Sequence, residues 1–327
     1  MPQAIVIRQY GGPEVLVPED LQTGPPGPGQ VRLRHVRIGV NFHDIYVRSG
    51  LYKTLALPGT PGIEATGVIT DVGAGVNGWQ AGDRVCYVTG AYGVYAAERL
   101  IDADRLIRLP DALSDTLVAS TLLRGLTADM LLNTVGRVRP DATLLIQAAA
   151  GGMGQLLTQW ARHLGATTIG TVRTAEQADL ARANGCQHII RYRDEDVVSR
   201  VHELTGGRGV DVAFDGVGGA TLAGSFASLA PCSHLVNFGQ VAGPVPPIEM
   251  SALAARSTTV SRPIVFHYVQ NPATRDAMAQ RLFEALGQGW LSVSDPREFA
   301  LADAADAHRT LEAAGASQPL LLVPEGA

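Results

Sequence analysis

One turn constrains this chain more than any other feature. TLLIQAAA (143–150) is apolar on both parities, as a parallel strand covered on both faces must be, and it is predicted to be a strand. It runs into Ala149-Ala150-Gly151-Gly152-Met153-Gly154, after which Met153, Leu156, Leu157, Trp160 and Leu164 recur on one helical face. Glycines in such a turn let backbone amides approach a pyrophosphate, and the helix that follows presents its positive end to it. A lone match of this kind is weak. Here the alternation continues: TTIGTV reads as a strand, ADLARANG as a short helix closed by Gly185, QHIIRY as a strand and DEDVVSRVHELTGG as a helix begun by acids. GVDVAFDG, SHLVNFG and TTVSRP follow as further strands. The pattern predicts an α/β domain with a doubly wound parallel sheet that binds a dinucleotide.

The residues before it read as β. AIVIRQY and EVLVPE flank Gly11-Gly12-Pro13 as a hairpin, and GPPGPG (24–29) is a loop. QVRLRHVRIGV alternates with a slip of phase at His35, which predicts a bulge there, and His35 itself reads as structural. IEATGVITDV and DRVCYV are further strands. After residue 262 come a helix begun by Asn271-Pro272, then WLSVS, then the helix ADAADAHRTLEAA, where His308 reads as a packed histidine, and last the strand PLLLVP. No apolar run approaches the length of a membrane span, and MPQAIVIRQYGG lacks a signal-peptide pattern. Three cysteines, Cys86, Cys186 and Cys232, are far apart and odd in number, which suits a reducing cytoplasm. A net charge of −5 disfavours nucleic acid and anionic membranes as partners. Lys53, the one lysine, has no neighbour that would activate an amine.

Five stretches carry a resemblance: GVNFHDIYVRSGLY (39–52), AGDRVCY (81–87), LRGLTADMLL (123–132), AAAGGMGQLLTQWARHLGA (148–166) and DAADAHRTLE (303–312). Together they resemble the quinone oxidoreductases, the zeta-crystallin-like group of the zinc-independent medium-chain dehydrogenase/reductase superfamily. The resemblance implies a GroES-like β-rich catalytic domain over 1–122, a Rossmann NADPH-binding domain over 123–262 and a return segment over 263–327 that completes the first domain. It implies a homodimer that reduces quinones with NADPH. An enoyl or alkenal double-bond reductase of the same superfamily is the near alternative, and a non-catalytic NADPH-binding protein is the alternative of another class.

Zinc chemistry is disfavoured by the donor set. Asn41 stands where zinc alcohol dehydrogenases of the superfamily place cysteine, and Ile63 where they place histidine. Glu64 then reads as structural. By resemblance, Asn41, Asp44, Tyr46 and Tyr52 line the cleft, with Arg124 at its far side. Tyr46 and Tyr52 read either as pocket walls or as amphipathic residues at a domain boundary, and His43 either as a proton donor or as a loop histidine. Asn41, Tyr46, Tyr52 and Arg124 are the expected catalytic residues. Expected cofactor contacts are Phe42, His43, Asp44, Met130, Gly151, Gly152, Met153, Gly154, Thr171, Arg173, Gln177, Tyr192, Phe238, Gly239 and Arg262. The chain departs from the group at Arg124, Gln177 and Met130, in lacking an arginine near Ala314, and in Ser317-Gln318-Pro319. An NAD enzyme usually carries Asp or Glu about 20 residues after the fingerprint. Here the strand ends in Thr171-Val172-Arg173, so NADPH is the expected cofactor.

Overall fold

A computed structural model describes residues 3–20, 22–314 and 318–326. The expected departures around Ala314 and Ser317 fall in part outside the described residues. In chain order the strands are β1 (Gln3–Val6), β2 (Val17–Asp20), β3 (Gln30–Val40), β4 (Glu64–Val72), β5 (Arg84–Val88), β6 (Glu98–Asp102), β7 (Ile107–Arg108), β8 (Thr143–Ile146), β9 (Thr167–Val172), β10 (His188–Arg191), β11 (Val210–Asp215), β12 (Leu229–Asn237), β13 (Thr259–Ser261), β14 (Arg297–Ala300) and β15 (Leu320–Val323). The helices are α1 (Phe42–Ser49), α2 (Asp115–Ala119), α3 (Leu122–Asp129), α4 (Gly152–His163), α5 (Ala175–Ala183), α6 (Val197–Leu204), α7 (Leu222–Ala227), α8 (Met250–Ala254), α9 (Val265–Tyr268), α10 (Pro272–Gly287) and α11 (Ala304–Ala314). Among the described residues no helix is long and apolar enough to cross a membrane.

The chain divides into two compact units: Met1–Leu123 with Phe266–Gly287 and Val293–Ala327, and Arg124–Val265 with Gln288–Ser292. The sequence-based divisions, 122/123 and 262/263, fall within three residues of the first two boundaries. The excursion at 288–292 was not foreseen. Trp290 causes it: its ring stacks on His163 at 3.8 Å and meets Trp160 edge-on at 5.5 Å, while Ser292 N donates to Gln159 Oε1 at 2.8 Å. WLSVS forms neither helix nor strand, and the strand of that region is β14.

The first unit is built on a sheet of order β14-β15-β3-β4-β5-β7, with β6 also pairing with β3. The slip at His35 is a bulge: His35 lies opposite Gly67 and Arg37 opposite Thr66, so Val36 is the extra residue. His35 is buried, its Nδ1–H donating to Ala96 O at 2.6 Å and its Nε2 accepting from Tyr87 Oη at 2.6 Å. β1 and β2 pair antiparallel, Val6 opposite Val17, but residues 7–16 link them rather than a tight turn at Gly11-Gly12-Pro13. The second unit is a parallel six-stranded sheet of order β10-β9-β8-β11-β12-β13. The order is that of a Rossmann domain, with its reversal between β8 and β11. Leu145, Ile169, Ala213 and Leu235 pack its centre against Val201 and Leu222 of the covering helices. β8 ends at Ile146, earlier than the apolar run suggests, because Ala148 takes a left-handed φ of 53° that turns the chain toward α4. α5 begins at Ala175, ahead of ADLARANG, since Thr174 Oγ1 caps it by accepting from Gln177 N at 3.3 Å.

Candidate functional site

In the second unit the expected cofactor residues gather past the carboxyl ends of the parallel strands, where ligands bind open sheets of this kind. Gly151 precedes α4 and Gly152 starts it. A β-carbon on Gly152 would strike the Arg124 guanidinium, which therefore lies over the first turn of α4. An arginine at a helix N-terminus makes a strongly anion-attracting corner. Arg124, expected at the far side of the cleft, lies beside the fingerprint glycine Gly152. A β-carbon on Gly154 would meet the backbone of Ala148 and Ala149, at 2.6 Å from Ala149 Cα, so this glycine is needed for helix-on-strand contact. On Gly151 it would meet Ala148 O at 3.1 Å, a contact that a small shift relieves. Met153 is partly buried.

At the end of β9, Arg173 is exposed and makes no side-chain hydrogen bond or ion pair among the described residues. Its backbone N donates to Gln177 Oε1 at 2.8 Å. Tyr192, 49% exposed, follows β10, whose Arg191 pairs with Val172, so the two residues flank one strand end. Two expected contacts are corrected. Thr171 is 1% exposed and its hydroxyl is spent internally: Oγ1 donates to Gln147 Oε1 at 2.6 Å and accepts from Ala148 N at 3.2 Å. Met130 is 1% exposed, at the start of a wide helical turn over Met130–Val135, and offers a ligand no surface. Phe238 and Gly239 follow β12, and Arg262 follows β13, donating to Asn237 Oδ1 and, at 3.1 Å, to Gln240 Oε1. Gly239 lies against Gly216, with no room for a side chain.

Sequence reasoning missed the network beneath this rim. Gln147 Nε2 donates to Ser225 Oγ at 2.9 Å, Ser225 Oγ to Asp215 Oδ2 at 2.8 Å, and Val217 N and Gly218 N to Asp215 Oδ1 at 2.9 Å. It ties the ends of β8, β9 and β11 together where the strand order reverses. A polar residue closing each apolar strand, Gln147 after TLLI and Asp215 after VAF, was the available signal.

In the first unit, Asn41 precedes α1. Its Nδ2 donates to Glu64 Oε1 at 2.6 Å, and Leu123 N donates to Glu64 Oε2 at 2.6 Å. Glu64 is therefore structural, as expected. Asn41 N donates to Asp44 Oδ2 at 2.8 Å, closing the helix start. Asp44 is 0% exposed and also accepts from Tyr95 Oη at 3.1 Å. Burial pushes its carboxyl up to about 7. It is a core residue and not a ligand contact. Beyond it, Tyr95 Oη lies 3.0 Å from His308 Nε2, and Arg48 Nη2 donates to Glu312 Oε1 at 2.5 Å, so His308 is the packed histidine expected.

The other face of α1 is aromatic. Phe42 and Tyr46 have ring centroids 6.5 Å apart, and Tyr46 meets Tyr52 edge-on at 5.1 Å. His43 lies among Tyr52 at 5.7 Å, Tyr92 at 6.0 Å and Phe266 at 5.3 Å. It stands on the helix, not in a loop, and burial pushes its imidazole down to about 4. His43 is thus neutral at physiological pH and has no imidazolium proton to give. The metal test is one of donors: Asn41 is an amide bound to Glu64, Ile63 is a buried alkyl, and Cys86, Cys186 and Cys232 are separate free thiols. These residues do not fit a zinc ion.

Two family models match the chain, "Alcohol dehydrogenase GroES-like domain" over residues 27–111 and "Zinc-binding dehydrogenase" over residues 152–284. The chain is 41% identical to a 2-haloacrylate reductase of a Burkholderia species, over 99% of this chain and 100% of that protein. It is 40% identical to a quinone oxidoreductase of Pseudomonas aeruginosa, over 99% and 100%. The crystal structure of Escherichia coli quinone oxidoreductase complexed with NADPH superposes with a TM-score of 0.94 at 37% identity, covering 98% of this chain and 100% of that one.

Proposed function

This chain belongs to the quinone oxidoreductase group of the medium-chain dehydrogenase/reductase superfamily, and we propose that it reduces quinones with NADPH and without a metal ion. The observation that carries the reading is the rim of the second unit. It joins a bare glycine turn at the start of α4, an arginine over that turn and, on the next strand, Arg173 with no carboxylate at the strand end. The cofactor fits this rim. Backbone amides of Gly152, Met153 and Gly154, with Arg124, would hold the pyrophosphate, while Gly151 N closes the turn on Ala148 O at 2.9 Å. Arg173, with Tyr192 beside it, would take the 2′-phosphate. Phe238 and Gly239, held in place through Arg262 and Asn237, would border the rest.

NADPH supplies a hydride when bound. The chain's own residues orient the acceptor and meet its charge. Phe42, Tyr46 and Tyr52 give flat, partly exposed rings that suit a planar acceptor. Glu64 holds one N–H of Asn41, which leaves the second amide hydrogen to stabilise negative charge on the acceptor oxygen. By the family resemblance the protein would be a cytoplasmic homodimer.

A second reading, reduction of a conjugated alkene, is favoured by the identity with the 2-haloacrylate reductase. A steady-state screen of NADPH oxidation with para-quinones, halogenated acrylates and α,β-unsaturated aldehydes separates the two. Higher kcat/KM with para-quinones is expected. The reverse order selects the second reading, and tight NADPH binding without turnover of any acceptor leaves a non-catalytic binding protein.

A further inference from the structure

Tyr92 takes no part in the reading above, yet its backbone is in a conformation rare for its type. Its φ is 57°, in the left-handed region that a bulky residue enters only when its surroundings impose it. The surroundings do so: Gly93 N donates to Thr60 O at 2.8 Å, Arg99 Nη1 donates to Tyr92 O at 2.7 Å, and the Tyr92 side chain is buried. The result is a fixed phenol with two polar neighbours. Tyr92 Oη makes a short hydrogen bond with Thr54 Oγ1 and lies 3.3 Å from His43 Nε2. Thr54 is exposed, whereas His43 sits within the aromatic cluster proposed to take the acceptor. The three groups therefore span the distance from solvent to that cluster.

We propose that Thr54, Tyr92 and His43 form a proton relay from solvent to the oxygen of the acceptor. His43 hands over the proton, and Tyr92 and Thr54 are positioning residues that act through it. The proposal rests on the redox reading and deepens it. Hydride addition to a quinone places two electrons and one hydrogen on the acceptor and leaves an anionic oxygen that needs one proton. In the relay the His43 Nδ1–H bond breaks as the new O–H bond forms. The Tyr92 hydroxyl proton moves to Nε2, the Thr54 hydroxyl proton moves to the Tyr92 oxygen, and water restores Thr54. The sum is one quinone, one hydride and one proton giving one hydroquinone, with the imidazole left as its Nε2–H tautomer, which must return to Nδ1–H before the next turnover. The direction of the relay specifies a tautomer. A neutral imidazole has one donor and one acceptor nitrogen, so the relay requires the tautomer in which Nε2 accepts from Tyr92 and Nδ1 carries the hydrogen. The low affinity of buried His43 for a second proton favours this concerted route over a free imidazolium.

Tyr92→Phe removes the hydroxyl and keeps the ring. We expect kcat to fall about 10²-fold, at the lower end for positioned proton transfer, with KM and NADPH affinity unchanged and the solvent isotope effect on kcat altered. Thr54→Val, at the surface end, should lose less, because water can take the place of that hydroxyl. A second readout needs neither cofactor nor acceptor: ¹⁵N NMR of the imidazole should show Nδ1 protonated in the wild type and a shift toward the Nε2–H tautomer in Tyr92→Phe. An unchanged tautomer, or kcat within twofold of wild type with the same isotope effect, overturns the relay. A raised KM with unchanged kcat does so as well. Wild-type protein that oxidises NADPH with no acceptor would instead overturn the redox reading, whatever the tautomer.

Discussion

Replacing Arg173 by alanine isolates the group proposed to choose the cofactor. Arg173 is exposed, ends β9, and has no side-chain partner among the described residues, so its removal leaves no buried group unpaired. A hydrogen bond to a charged group contributes about 1.5–3 kcal/mol. Exposure brings solvent screening, so the lower end applies, and about 1.5 kcal/mol corresponds to roughly a tenfold rise in Kd for NADPH. NADH, which lacks the 2′-phosphate, should bind as before. Placing lysine at Gln177 supplies a second cation but removes an acceptor, because Gln177 Oε1 takes Arg173 N at 2.8 Å. Losing that bond costs about 1 kcal/mol. Gln177→Lys on the Arg173→Ala background should therefore regain less than half of the lost NADPH affinity, and Gln177→Glu on the wild type should weaken NADPH selectively. Fluorescence titration of both cofactors at two fixed ionic strengths measures all of this, and the NADPH selectivity should shrink at the higher salt. Equal Kd values for NADH and NADPH in the wild type would refute the reasoning. So would an Arg173→Ala protein that lost both by the same factor.

Gly154→Ala should destabilise the second unit by about 1–3 kcal/mol, since its β-carbon meets backbone that cannot move aside, whereas Gly151→Ala should be mild. Thermal denaturation of the two variants checks the contrast, and similar melting temperatures would contradict it. His35, its pKa pushed from 6.5 down to about 3 by burial, is neutral when folded and charged when unfolded below pH 6.5, so its stability contribution is lost as pH falls from 6.5 toward 3. His35→Gln should flatten the acid side of the stability curve by about 1.4 kcal/mol per pH unit in denaturant titrations, and coincident slopes would show that His35 titrates alike in both states. Tyr46→Phe and Tyr52→Phe should lower kcat with NADPH affinity nearly intact if the hydroxyls act in the transition state. If kcat holds and only alanine variants suffer, the rings serve by packing.

Much of the second unit was legible because its signals are local. A strand of one polarity, a glycine turn and a helix of one face lie within 143–166, and the β-α alternation repeats the statement down to β13. The bulge in β3 was legible for the same reason, as a change of parity at one residue. What was not legible was non-local. Nothing inside WLSVS says that Trp290 stacks on His163, more than a hundred residues away in sequence, and takes the segment with it. Nothing in AYGV says that Tyr92 takes a left-handed backbone, since that conformation is imposed by Thr60 and Arg99. Met130 and Thr171 were assigned to the cofactor by position in a motif, and burial, which a motif does not encode, removes them.

The stretch NFHDIYVR shows where a motif stops and helical geometry takes over. Read along the chain, Asn41, Asp44 and Tyr46 were expected to line the cleft and Phe42, His43 and Asp44 to contact the cofactor, so all five were given to a ligand. On a helix of 3.6 residues per turn they cannot share one face. Asp44 and Arg48, four apart, turn inward with Ile45 and Val47, and are held by Tyr95 and Glu312. Phe42, His43 and Tyr46, at spacings of three and four, keep the partly exposed face with its rings in contact with Tyr52 and Tyr92. The helix is short, and its start is fixed by the hydrogen bond from Asn41 N to Asp44 Oδ2. One buried carboxyl thus sets the phase of the helix, and the phase decides which rings a substrate can meet. Asp44 bears on function through the position of His43 and Tyr46 and not through contact with a ligand.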